Sequence, residues 1–139
     1  MLYQILTKNA NQNERQISIN EMLNDVQKMR SLYSNRVELQ LQMITPLELL
    51  ARKYRKSLEF KKSAQVFEEI FELTKDNNDF ISIAVLKEAF LDYKNCSQEK
   101  KSESCKQKAY DYFIDIYRFK PCFEELWEKI IFNGFNFVF

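Results

Sequence analysis

The chain contains no histidine. Imidazole general acid–base catalysis, Ser–His and Cys–His nucleophile pairs and imidazole metal sites are therefore excluded from its chemistry. A single glycine, Gly134, leaves no material for a phosphate-cradling or dinucleotide-binding turn. The three cysteines, Cys96, Cys105 and Cys122, follow a C-x8-C-x16-C spacing. That matches no zinc-ligand pattern, and unpaired thiols fit a reducing compartment. Glu68, Glu69, Glu72, Asp76 and Asp79 form an acidic run. Carboxylates alone can hold Mg²⁺ or Ca²⁺ or serve as an acid/base pair. Here no loop has the calcium pattern, so the run reads as a solvated helix end and turn. Arg52, Lys53, Arg55 and Lys56 surround Tyr54, with Lys61 and Lys62 close behind, a combination that can bind phosphates and stack bases. These residues point to no catalytic group, cofactor or metal.

The elements that position them are helices. With 139 residues, 45% hydrophobic and 29% charged, the chain can bury a core as one domain. Two prolines and one glycine are too few for the tight turns of a sandwich or barrel. The net charge of +1 creates no bulk field toward nucleic acid or membrane. It is unevenly placed: residues 1–62 carry eleven Lys/Arg against six Asp/Glu, and residues 63–139 ten against fourteen. Such polarity suits head-to-tail packing or an acidic partner for the first half. No apolar run approaches the ~20 residues that span a bilayer. The start has too short an apolar stretch for a secretory signal and too few arginines for a good mitochondrial presequence. Cytoplasmic residence is the default expectation, with the nucleus as a variant of it.

Residues 1–16 read as a flexible lead-in, and residues 17–139 as a single helical domain. A first helix is expected over 20–33, capped by Ser18 with Glu21 three residues on. Ile19, Met22, Val26, Met29 and Tyr33 form its apolar seam. Residues 37–44 alternate like a strand yet tolerate helix, and the lack of a strand partner favours helix. Thr45 followed by Pro46 marks a helix start, with Leu47, Leu50, Ala51 and Tyr54 facing inward to about residue 58. A helix over about 62–74 buries Ala64, Phe67, Ile70 and Phe71. Another over 80–93 buries Ile83, Leu86, Ala89, Phe90 and Tyr93. Residues 95–103 read as a charged loop. A helix over about 104–119 buries Ala109, Phe113, Ile116 and Tyr117, and Pro121 ends it. The last helix covers about 123–132. The expected class is all-α, with about six helices arranged as antiparallel helix–turn–helix pairs.

Paired helices with similar apolar faces must stack on neighbours to bury them. In this respect the sequence resembles the tetratricopeptide repeat family over about residues 44–131. The first unit, about 44–77, has Leu47, Leu50, Ala51 and Tyr54, then Ser63, Phe67 and Ile70. The second, about 83–121, has Leu86, Ala89, Phe90 and Tyr93, then, after about seven inserted residues, Ala109, Phe113, Ile116 and Pro121. A partial third unit at 122–139 opens with Trp127 and Ile130. Phe90, Ile70 and Ile116 stand where the family has small side chains, so the units are degenerate.

The resemblance implies a non-enzymatic protein–protein interaction module whose first helices line a basic groove. Carried over by position, that groove presents Glu48, Arg52 and Arg55, then Lys87, Leu91 and Lys94. Such a set favours an acidic or carboxylate-ended segment. Glu48 and Arg52 replace the Lys and Asn of the chaperone-binding clamp, so no chaperone is expected. A second expectation is a small structural subunit of a larger multiprotein assembly. In it Phe135, Phe137 and Phe139 of the aromatic C-terminus dock on another chain, the alternative being that they fold back over Trp127, because apolar surface left in water costs about 25 cal/mol per Å². A third is an RNA- or single-stranded-DNA-binding helical repeat. It is disfavoured because the apolar periodicity points Tyr54 into the core.

Overall fold

In the computed structural model, residues 19–77 and 80–117 are described, and every regular element among them is helical. Helix α1 runs over residues 19–33. Its seam settles into the core as expected: Ile19 and Val26 are buried, with Met22, Met29 and Tyr33 packed at the margin. The Ser18 cap and the expected helix over 123–132 lie outside the described residues.

Residues 37–44 are helical. Helix α2, Val37–Gln40, passes through a 3-10 turn, Leu41–Met43, into α3, Ile44–Lys56. Only Met43 of the alternating apolar residues is buried, so the period-2 pattern marks a solvated helical entry and not a strand. The Thr45 cap is corrected. The position before α3 is Met43, itself in helical conformation, with no side-chain cap. The 3-10 turn leads straight into the helix, and Pro46 falls in the first turn, where its missing N–H removes nothing. Helix α4 is Phe60–Thr74, α5 is Phe80–Asn95 and α6 is Glu99–Tyr117.

A further correction concerns residues 95–103. They are not a long loop: a short turn at 96–98 leads into α6 at Glu99, and no residues are inserted. Glu99, Lys100, Lys101 and Glu103 form helix readily, and an acidic residue in the first turn suits the helix dipole. Their charge belongs to a solvated helix face.

The turns that join α3 to α4 and α5 to α6 are built alike. In the first, Leu58 adopts φ 61°. Its N–H donates to Arg55 O at 2.9 Å, the Glu59 N–H donates to Tyr54 O at 2.9 Å, and Ser63 N–H donates to Glu59 O. In the second, Ser97 adopts φ 59°. Its N–H donates to Lys94 O, Gln98 N–H donates to Tyr93 O at 2.8 Å, and Ser102 N–H donates to Gln98 O. Each is the left-handed helix stop with paired 6→1 and 5→2 bonds. The same Tyr then lies under a lysine in each hairpin, Lys62 over Tyr54 at 5.8 Å and Lys101 over Tyr93 at 5.7 Å. All these pairs are related by 39 residues (58 and 97, 54 and 93, 62 and 101). Ser63 thus corresponds to Ser102, and not to Ala109 as the expected insertion implied.

Consecutive helices pack on one another from α3 through α6. Leu47, Leu50, Ala51, Phe67, Ile70, Leu86, Ala89, Ala109 and Phe113 fill the space between them, as their spacing predicts for all nine. Ile116 is only half-buried. Helix α5 is covered on most of its circumference, from Ser82 and Ile83 to Leu91, Asp92 and Tyr93. A helix apolar on nearly all sides is a central helix. Its first turns are also tied to α4 by a Thr74–Ser82 hydroxyl pair at 2.7 Å.

Candidate functional site

The cations expected to line a groove come from α3 and α5, and the structure gives them different roles. Arg52 makes an i,i+4 pair with Glu48 at 3.0 Å, both about half exposed. Lys94 is exposed, with its Nζ 5.0 Å from the Phe90 ring centroid. Lys87 is half-buried. Arg55 and Leu91 turn inward. Leu91 is 5% exposed and belongs to the core.

Arg55 belongs to a polar hub that joins three helices. Its Nε donates to Asp92 Oδ1 at 2.8 Å, its Nη1 lies 2.7 Å from Glu88 Oε2, and its Nη2 donates to Glu88 O at 3.3 Å. Ser63 Oγ, from the first turn of α4, donates to Asp92 Oδ2 at 2.6 Å. The guanidinium also lies 5.1 Å from the Phe67 ring centroid. Asp92 is 0% exposed. Burial pushes its carboxyl above the ordinary range, outweighing the bonds from Arg55 and Ser63 that pull it down. Burial works against the Arg55 charge, but its bonds to Asp92 and Glu88 more than offset this and raise its pKa. The Arg55 guanidinium, which could otherwise fork a partner's carboxylate, is therefore occupied within the chain.

A second hub joins α4, α5 and α6. Glu68 accepts from Tyr93 Oη at 3.0 Å and from Cys105 Sγ at 3.2 Å. Burial, then the Glu68 charge, hold both the phenol and the thiol well above their ordinary pKa. A thiol kept protonated is a hydrogen-bond donor and not a nucleophile. Neighbouring Glu69 binds Arg30 of α1 through two bonds, Nε–Oε2 at 2.8 Å and Nη2–Oε1. Glu72 pairs with Lys75 at 2.7 Å. Glu68, Glu69 and Glu72 of the acidic run are thus taken up by ion pairs and hydrogen bonds, and Asp79 lies outside the described residues. Among the described residues no three His, Cys, Asp or Glu side chains are grouped to hold a metal. No described helix is long and apolar enough to cross a membrane.

A shallow cleft of about 350 Å³ between α4 and α6 is lined by Phe71, Lys75, Asp76, Lys108, Asp111 and Tyr112 among others. Its floor is the edge-to-face pair of Phe71 and Tyr112, with centroids 5.8 Å apart. Phe135, Phe137 and Phe139 lie outside the described residues.

Two sequence signals could have found the hubs. Tyr-x6-Lys-Lys-Ser occurs at 54–63 and again at 93–102, which fixes the register of the two hairpins. Asp92 stands between Leu91 and Tyr93 in the most apolar helix, where a lone carboxylate needs an internal partner. The comparison of this chain with protein-family models, with curated proteins and with solved structures gives no match, so the tetratricopeptide resemblance rests on the residues alone.

Proposed function

We propose that this chain is a non-enzymatic protein–protein interaction module, a tetratricopeptide-like helical scaffold or adaptor that holds an acidic partner segment against α3 and α5. What carries this is the recurrence of one helix–turn–helix design 39 residues apart, with the same left-handed stop, lysine-capped tyrosine and buried serine. Stacked hairpins of this kind present an extended face to a partner. Arg55 and Leu91 hold the scaffold together, which leaves Arg52, Lys87 and Lys94 as the contact residues, with Glu48 orienting Arg52. A reducing compartment, the cytoplasm by default, is part of this proposal, and the free thiols Cys96 and Cys105 agree with it.

The test is selection of a random peptide library on the purified chain and on the Arg52→Glu/Lys87→Glu double variant. The wild type is expected to enrich acidic sequences that bind at micromolar concentration. The variant is expected to lose them, with an unchanged circular dichroism spectrum. Equal enrichment by the two proteins would remove the α3/α5 face from the account.

A structural-subunit role is favoured by a different observation. Leu32, Val37 and Leu41, at the α1–α2 junction, are 69%, 76% and 42% exposed. Sedimentation of the purified chain separates the two: a soluble monomer supports the adaptor, and association relieved by Leu32→Lys/Val37→Lys supports the subunit. The nucleic-acid alternative loses its stacking platform, since Tyr54 is 6% exposed and lies under Lys62.

A further inference from the structure

Arg55, near the end of α3, and Ser63, in the first turn of α4, meet on Asp92, near the end of α5. This brings the turn at 57–59 and the turn at 96–98 to one end of the molecule. Each turn is flanked by exposed lysines: Lys56, Lys61 and Lys62 at the first, Lys100 and Lys101 at the second. Against these five stand Glu59, which pairs with Lys62 at 3.2 Å, and the exposed Glu99. The edge is therefore basic, although the chain is near neutral overall.

A second, independent feature lies among these cations. Leu58 occupies the left-handed position of its turn, φ 61°, and is 74% exposed. Glycine fills such a position without steric cost, and its equivalent in the second turn is the polar Ser97. Leucine there carries a backbone cost and exposes an apolar side chain, with little burial among the described residues to offset either. Strain and exposure together at one residue point to use from outside.

We infer that this turn edge is a second docking surface, separate from the α3/α5 face, for an acidic polypeptide segment that covers Leu58 with an apolar side chain. The lysines supply the charge complementarity and the leucine the apolar anchor. A nucleic acid fits less well, because Tyr54 and Tyr93 are buried under Lys62 and Lys101 and offer no face to a base.

The test uses the full chain and three fluorescein-labelled probes: a peptide of repeated Glu-Glu-Leu-Glu units, a polyglutamate peptide of equal length, and oligouridylate. The leucine-containing peptide is expected to bind most tightly by fluorescence anisotropy, with affinity falling as salt rises. Lys61→Glu/Lys100→Glu is expected to weaken it about tenfold or more. Leu58→Gly is expected to weaken it several-fold while raising the melting temperature, a combination that a purely structural leucine would not give. The inference is overturned if oligouridylate binds more tightly than both peptides, if neither peptide binds, or if Leu58→Gly binds like the wild type or melts lower. Binding lost in Arg52→Glu/Lys87→Glu but kept in Lys61→Glu/Lys100→Glu also overturns it, and assigns the peptide to the α3/α5 face instead.

Discussion

Asp92 allows the sharpest test of how the two hairpins are joined. Replacing it with alanine removes the acceptor for Arg55 Nε at 2.8 Å and for Ser63 Oγ at 2.6 Å. Ser63 is 0% exposed, so its hydroxyl would stay buried without this acceptor. Breaking one side of a buried ion pair costs about 3–5 kcal/mol. Arg55 keeps its contact with Glu88 and a side-chain exposure of 24%, which sets the expectation at the low end, about 3 kcal/mol. That is a large share of the roughly 5–15 kcal/mol that holds a domain together. Asp92→Asn should behave differently. The folded chain already holds the Asp92 proton more tightly than the unfolded chain, because burial raises its pKa. Stability from this group is therefore full below the ordinary value of 3.8 and falls as pH rises from there through the raised folded value. Asparagine keeps a polar partner for Arg55 and Ser63 and removes only the charge that burial penalises, so at neutral pH it should cost less than alanine does. The share of the pH slope that comes from Asp92 should vanish with it. Urea titrations followed by circular dichroism at several pH values measure all of this. If Asp92→Asn costs as much as Asp92→Ala, the charge outweighs its burial and the reasoning is wrong.

Two other outcomes are expected. Tyr93 and Cys105 are both held above their ordinary values of 10.0 and 9.0, so the unfolded chain loses these protons first. Stability should fall as pH climbs through about 9–10, and a urea midpoint unchanged between pH 8 and pH 10 would contradict the Glu68 hub. Leu47 and Leu86 occupy equivalent places in the two hairpins and are both 0% exposed, so alanine at either should cost about 2–5 kcal/mol by urea denaturation. A cost at only one of them would show that the hairpins are not packed alike.

Apolar spacing was sufficient to place the core. Leu47, Leu50 and Tyr54 at steps of three and four mark the inner face of α3, and Ala64, Phe67 and Phe71 mark that of α4. The turns were harder to place, because neither is marked by glycine or proline: their left-handed positions hold Leu58 and Ser97. Without that punctuation the charged start of α6 looks like a loop, and the register of the second hairpin shifts. The groove residues were legible as surface cations but not as partners. Arg52 and Arg55 have the same chemistry in sequence, and only the parallel approach of α3 and α5 ends decides that Arg55 reaches Asp92 while Arg52 stays outside. A pairing between residues 55 and 92 is a property of helix stacking and has no local signature.

The central claim is that stacked hairpins offer a basic surface to another polypeptide. Amide chemical-shift mapping of the full chain, titrated with the repeated Glu-Glu-Leu-Glu peptide, tests it most directly. The account predicts saturable shifts on α3 and α5 around Arg52, Lys87 and Lys94, at the turns 57–59 and 96–98, or at both. An absence of shifts, or shifts confined to the cleft between Phe71 and Tyr112, would contradict it.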